Sequence, residues 1–134
     1  VIIEQRGCIY CAEMHEEVFV DPEILEMLEE DFFFVRLDMY GGTEVTDFDG
    51  EILTEGQAVR RWRTLFTPTI LFFPEEVPGG VSGIEAAVAT MPGAFGRSMT
   101  RNMLQWILDE GYNSDESFQA YHARVLRESG ALDQ

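Results

Sequence analysis

The sequence predicts an α/β fold, a β-sheet flanked by helices, on three observations. Short apolar runs rich in β-branched and aromatic residues (Val1-Ile2-Ile3, Phe32 to Asp38, Pro68 to Phe73) alternate with stretches of helical periodicity. Cap and stop residues punctuate those stretches, among them Asp21-Pro22, Thr54 and Gly111. The chain has 134 residues, a 46% hydrophobic fraction and ten Phe, enough to bury a sizeable core as one domain over 1–134.

Val1-Ile2-Ile3 reads as a buried strand and Gln5-Arg6-Gly7 as a turn. The chain opens on Val1 rather than Met, directly inside that strand, and its N-terminus is expected to have been trimmed. Ala12 to Phe19 reads as an amphipathic helix with Met14 and Val18 on one face and Glu13, Glu16 and Glu17 toward water. Asp21 caps a second helix, with Pro22 at its first position and Ile24, Leu25 and Leu28 as its apolar stripe. Phe32 to Asp38 follows as a mostly buried strand.

Between Tyr40 and Gly56 the periodicity breaks down. Gly41-Gly42 and Asp47-Phe48-Asp49-Gly50 signal turns, and Glu51-Ile52-Leu53 a short strand or hairpin arm. Thr54 to Arg63 returns to helix, with Thr54 as cap and Val59 and Trp62 inward. Phe66-Thr67-Pro68 is a turn feeding a buried strand, and Glu85 to Met91 predicts another strand ended by Pro92-Gly93. Met99, Met103, Leu104, Ile107 and Leu108 define a helix over Ser98 to Glu110, stopped by Gly111. A last helix over Asp115 to Glu128 carries Phe118, Tyr121, Val125 and Leu126 on one side. Trp62 and Trp106 read as core, and His122 as structural or exposed.

The chemistry concentrates in Cys8-Ile9-Tyr10-Cys11, whose two cysteines are the chain's only ones. At a strand-to-helix junction this spacing is a redox motif. Exchange needs a thiolate to attack a disulfide sulfur and a second thiol to release the mixed disulfide. Cys8 at the first helical turn meets unpaired N–H groups and the positive end of the dipole, which favours its thiolate. Cys8 is therefore the nucleophile, and Cys11, one turn in, the resolving thiol. A static disulfide is the bland alternative, but so small a loop makes a poor staple. Glu4, near the active-site turn on strand alternation, is a candidate to accept the Cys11 proton, or else faces solvent or pairs with Arg6. Tyr10 reads as an exposed aromatic wall at the site.

Charge narrows the partners. The formal charge is −16, and all nine basic residues are Arg. Such a surface repels phosphate backbones, so nucleic acid is not expected as a partner; basic patches on proteins are favoured instead. No apolar run approaches the roughly 18 residues of a membrane span.

With these motifs in place, the chain resembles the thioredoxin superfamily, and more narrowly the SoxW-type thioredoxins of bacterial sulfur-oxidation systems. Glu4 to Cys11, Met14 to Phe19 and Asp21-Pro22-Glu23 look like that group's active-site helix. Glu44 to Gly50, Phe66-Thr67-Pro68-Thr69, Met91-Pro92-Gly93 and Phe118 to Ala123 match its pattern as well. The resemblance implies a thioredoxin-like fold: a central mixed β-sheet flanked by helices, an insert before the second main helix and an extra C-terminal helix. It implies Cys8 and Cys11 as the redox pair, with no cofactor. Pro68 would be the cis-proline facing that pair, and the backbone of Thr67 would pair with a substrate strand. It further implies a periplasmic protein that reduces disulfides or cysteine adducts on a partner, such as a sulfur-carrier protein. Electrons would come from a membrane thiol transporter of the CcdA or DsbD type.

The chain departs from ordinary thioredoxins at three places. Ile2 stands where they have a buried acid, Gly7 where they have Trp, and Ile9-Tyr10 where they have Gly-Pro. Their reduction potential therefore does not transfer, and any proton-accepting carboxylate would have to be Glu4. Other functions compete: an oxidant or isomerase of the same fold, a copper metallochaperone using Cys8, Cys11 and His15, and a non-catalytic module whose acidic face recruits a basic partner.

Overall fold

The computed structural model describes residues 1–130, so the last four residues of the expected 1–134 domain lie outside the described residues. In chain order the elements are β1 (Ile2–Glu4), α1 (Ile9–Glu13), a π-helical turn (Met14–Val18), α2 (Pro22–Glu30), β2 (Arg36–Asp38), β3 (Glu44–Thr46) and β4 (Ile52–Thr54). They continue as α3 (Glu55–Arg61), β5 (Thr69–Phe72), α4 (Gly83–Ala86), β6 (Ala89–Pro92), α5 (Arg97–Leu108), a 3-10 turn (Gly111–Asn113) and α6 (Phe118–Glu128). The contacts divide the chain into two compact units. The first comprises Val1–Met14 and Phe34–Ala94; the second comprises His15–Phe33 and the chain from Phe95 onward.

The first unit is built on a mixed sheet in the order β2-β1-β5-β6. β1 runs parallel to β2, pairing Ile3 with Leu37, and antiparallel to β5, pairing Ile2 with Ile70. β5 and β6 are antiparallel, with Leu71 opposite Thr90. Ile2 and Ile3 point to opposite faces and both are fully buried, as an apolar central strand requires. On one face Ile3, Leu37 and Leu71 pack with Ala58, Val59 and Trp62 of the α3 segment, the last two being the inward residues the periodicity predicts. Thr54 caps α3 in a full capping box with Gln57.

The insert before α3 is the antiparallel β3–β4 hairpin, and the buried Asp47 fixes it to the rest of the unit. Its carboxylate accepts from the Phe48 amide (2.7 Å), Arg61 Nη1 (2.6 Å), Trp62 Nε1 (2.9 Å) and the Gly83 amide (2.8 Å). Asp49 and Glu51 also pair with Arg61, so the acidic loop expected as a turn signal is a guanidinium clasp. A Cβ on Gly83 would run into the Trp62 indole, which explains glycine at the start of α4.

In the second unit Asp21 Oδ1 accepts from the Glu23 and Ile24 amides and caps α2, with Pro22 in the first turn. Arg101 of α5 pairs with Glu23 of α2 at 3.6 Å. Trp106 of α5 meets Phe118 of α6 edge-on, and Asn102 bonds His122 Nδ1 at 2.9 Å, so His122 is structural. Ser117 caps α6, and Arg124 joins Glu116 and Glu128.

Six expectations need correction. The strand expected over Phe32 to Asp38 is confined to Arg36–Asp38, because the ladder with β1 begins at the Ile2–Arg36 pair; Phe33 is 91% exposed. The strand expected from Glu85 begins only at Ala89, because the Gly83 amide is held by Asp47 and starts α4. Helix α2 buries Ile24 and Met27, while Leu25 of the expected stripe faces outward. The helix after the cysteines loosens into a π-turn that keeps Met14, Val18 and Phe19 buried. The left-handed residue ending α5 is Glu110, and Gly111 opens a 3-10 turn against the Trp106 ring. The final helix likewise starts at its Ser117 cap rather than at Asp115.

Asp47→Ala should destabilise the protein by about 3 kcal/mol, because it leaves the Trp62 and Gly83 donors and part of the Arg61 charge unpaired. Gly83→Ala should cost about 1–3 kcal/mol through overpacking against Trp62. Urea unfolding monitored by Trp fluorescence measures both. The Arg61 guanidinium, followed by the Glu51 amide, holds the Asp49 carboxyl down at about 2. A depressed carboxylate stabilises the fold above its ordinary value of about 3.9 and loses that contribution as pH falls toward 2. NMR titration should place the Asp49 midpoint near 2, and Arg61→Gln should return it to the ordinary range.

Candidate active site

The cysteines leave β1 through a tight turn. Gly7 takes φ +79°, a conformation open to glycine without steric cost, and the Cys8 amide donates to the Gln5 carbonyl at 3.3 Å. That backbone is the physical reason for glycine where ordinary thioredoxins carry Trp. Cys8 is the N-cap of α1, in extended conformation, and its Sγ accepts from the Cys11 amide at 3.1 Å. Cys8 and Cys11 are joined in a disulfide with their Cα atoms 5.2 Å apart. Cys11 is buried (5% exposed), whereas the intervening Ile9 and Tyr10 are 79% and 63% exposed.

The second wall of the site comes from the loop before β5. The Thr67–Pro68 bond is cis, and Pro68 is buried with its carbonyl accepting from the Gly93 amide at 2.8 Å. Thr69 Oγ1 donates to the Phe66 carbonyl at 2.8 Å, which ties down the loop's end. The Thr67 hydroxyl donates to Cys8 Sγ at 3.3 Å. The loop and the cysteine turn are thus in direct contact across a sequence separation of 59. Gln5 Nε2 donates to Thr67 Oγ1 at 3.0 Å and adds a second link between the same two segments. Leu65 and Phe66 stand exposed beside them and also wall an apolar cleft of about 340 Å³, lined further by Trp62, Leu71, Ile84 and Val88.

The structure therefore brings together Cys8, Cys11, Thr67 and Pro68 as the spacing and the resemblance lead one to expect, with Tyr10 exposed on the cysteine turn. Glu4 is mostly buried, and its carboxylate pairs with Arg36 Nε at 3.0 Å. The His15 ring lies edge-on to Phe19 at 5.1 Å. Among the described residues no group of three or more His, Cys, Asp or Glu gathers as a metal-ligand set. Sequence reasoning missed Gln5, which reads as a turn residue. It anticipated the Thr67 backbone but not the hydroxyl. Nothing in local spacing reports a contact between segments so far apart in sequence.

Comparison with known proteins agrees with this geometry. A family model described as a thioredoxin-like domain matches residues 1–83. No curated protein sequence matches the chain. A solved thioredoxin-fold protein from Helicobacter pylori superposes with a TM-score of 0.74, covering 92% of this chain and 80% of its own, at 14% identity. The chain belongs to the thioredoxin-like domain family, and its fold is thioredoxin-like.

On this arrangement the two thiols of the reduced protein differ in reactivity. Cys8, capped by two donors and partly exposed, should be alkylated by iodoacetamide about tenfold or more faster than the buried Cys11. Peptide mapping after sub-stoichiometric labelling reads the ratio directly.

Proposed function

We propose that this thioredoxin-like protein is a thiol–disulfide oxidoreductase that reduces disulfides or cysteine adducts on a partner protein. The observation that carries the reading is the Cys8–Cys11 disulfide at a helix start, with the Thr67 hydroxyl on the Cys8 sulfur. The family match supports thiol redox chemistry at a general level.

In the reduced protein the Cys8 thiolate attacks one sulfur of the partner's disulfide. A Cys8–partner bond forms as the partner's own S–S bond breaks, and the leaving sulfur departs as a thiolate that takes up a proton. Cys11 then loses its proton and attacks Cys8 Sγ. This closes the intramolecular disulfide and releases the partner's second thiol, completing a two-electron transfer. A dithiol donor reverses the sequence to recharge the pair. Tyr10 and the backbone of Thr67 form the face on which the partner segment lies, and the cis bond to the buried Pro68 shapes the loop behind it. Glu4 is assigned the Cys11 proton, and its ion pair with Arg36 supports a carboxylate held in place.

The finer reading rests on motif resemblance. It makes this a SoxW-type protein of the periplasm, with a sulfur-carrier protein as partner and a membrane thiol transporter of the CcdA or DsbD type as donor. A reductase of this kind has a pair poised at or below roughly −220 mV; a strong oxidant lies near about −120 mV. Equilibration against glutathione decides the direction of electron flow, and the higher value would replace the reductase by an oxidant.

Turnover of a model protein disulfide tests the roles. Cys8→Ser should abolish it, leaving activity at least about a thousandfold down, while Cys11→Ser should accumulate a mixed disulfide on Cys8. Glu4→Gln should slow release of that intermediate without slowing its formation. Unchanged turnover in Cys8→Ser would sink the proposal.

A further inference from the structure

We propose that Gln5 is a positioning residue for the redox reaction: it aims the Thr67 hydroxyl at Cys8 Sγ and thereby stabilises the Cys8 thiolate. The inference rests on the thiol–disulfide reading above. It starts from the fact that a hydroxyl has one proton to give. Gln5 Nε2 donates to Thr67 Oγ1 at 3.0 Å, so that oxygen is already serving as an acceptor. Its proton is then directed away from Gln5, and the acceptor in reach is Cys8 Sγ at 3.3 Å. A carboxamide oxygen or a carboxylate in the place of Nε2 would draw the Thr67 proton toward itself. The direction of the chain, Gln5 to Thr67 to Cys8, is thus set at its first member.

Both ends of this chain are anchored. The Gln5 carbonyl accepts the Cys8 amide proton, so one residue grips the nucleophile by its backbone and the opposite loop by its side chain. On the loop side, Thr67 is β-branched with restricted χ1. It is followed by the buried Pro68, whose carbonyl is held by the Gly93 amide. Without Gln5 the hydroxyl remains but its proton can turn to water, and donation to sulfur becomes intermittent.

The bond matters differently in the two redox states. A disulfide sulfur is a weak acceptor, whereas a thiolate carries a full charge and gains about twice as much from the same donor. Thr67 donation therefore favours the reduced pair over the oxidised one. The Cys11 amide makes its own bond to Cys8 Sγ at 3.1 Å and does not depend on Gln5, so the Gln5 contribution is partial. Removing it should move the equilibrium with glutathione toward the protein disulfide by roughly fivefold.

The test measures the glutathione equilibrium and the pH profile of Cys8 alkylation for the parent, Gln5→Leu, Thr67→Val and the double variant, with thermal melting as a folding control. The expected result is a roughly fivefold shift toward disulfide and a displaced alkylation profile in Gln5→Leu. The same should hold in Thr67→Val, with no further change in the double variant, because Gln5 acts through the hydroxyl. Gln5→Met serves as a second side chain without a donor if Gln5→Leu fails to fold. An unmoved equilibrium in the Gln5 variant overturns the inference. So does a double variant showing the product of the two single shifts. A parent protein that does not exchange with glutathione overturns the redox reading and this inference together; normal exchange with an unmoved Gln5 variant overturns the inference alone.

Discussion

Much of the first unit is organised by one buried carboxylate. Asp47 takes donors from its own turn, from the end of α3 and from the start of α4, and its side chain is wholly shielded from water. A buried charge is tolerated only when its lone pairs are filled, and here Arg61, Trp62 and two backbone amides fill them. The consequence reaches the active site by chain connectivity. Trp62 closes α3, Arg63 follows in the left-handed region at φ 57°, and the loop from Thr64 then delivers Thr67 to the cysteine turn. Fixing the hairpin to the end of α3 therefore fixes where that loop departs.

The cysteine turn obeys a complementary constraint. β1 is only three residues long, yet it lies between a parallel and an antiparallel neighbour. Its fully buried Ile2 and Ile3 give the turn a rigid base, and rigidity suits a site whose bonds run between segments far apart in sequence. The exposed residues Ile9, Tyr10, Leu65 and Phe66 sit on the two segments that meet at Cys8. On the proposed reading, such exposed apolar surface beside a reactive sulfur suits a docking face.

How much of this was legible in the sequence follows from the range of the interactions involved. The caps at Asp21 and Thr54, the inward Val59 and Trp62, the insert before α3 and the cysteine pair at a helix start all depend on neighbours a few residues away. Local pattern is enough for those. The cis bond at Pro68 was anticipated through family resemblance, not through spacing. What escaped depends on tertiary partners. Phe32 to Val35 has strand composition, but the register with β1 gives it no ladder position. Glu85-Ala86 bends into helix because Asp47, far earlier in the chain, claims the Gly83 amide. Gln5 looks like any turn residue until Thr67 arrives beside it.

The donors around Cys8 also bear on the balance between speed and driving force. Stabilising a thiolate raises the fraction of Cys8 that is ionised, and each unit of stabilisation lowers intrinsic nucleophilicity by less than half as much, since the Brønsted coefficient is about 0.4–0.5. Below the thiol's own midpoint the net effect is faster attack. The same stabilisation favours the dithiol over the disulfide and so weakens the pair as a reductant. Two donors on Cys8 Sγ, one from the Cys11 amide and one from the Thr67 hydroxyl, both act toward faster attack and weaker driving force. A reductase built this way needs a donor dithiol more reducing than itself, kept in supply, to hold Cys8 and Cys11 in the working state. On the proposed reductase reading, dependence on an external donor would follow from how the Cys8 sulfur is solvated.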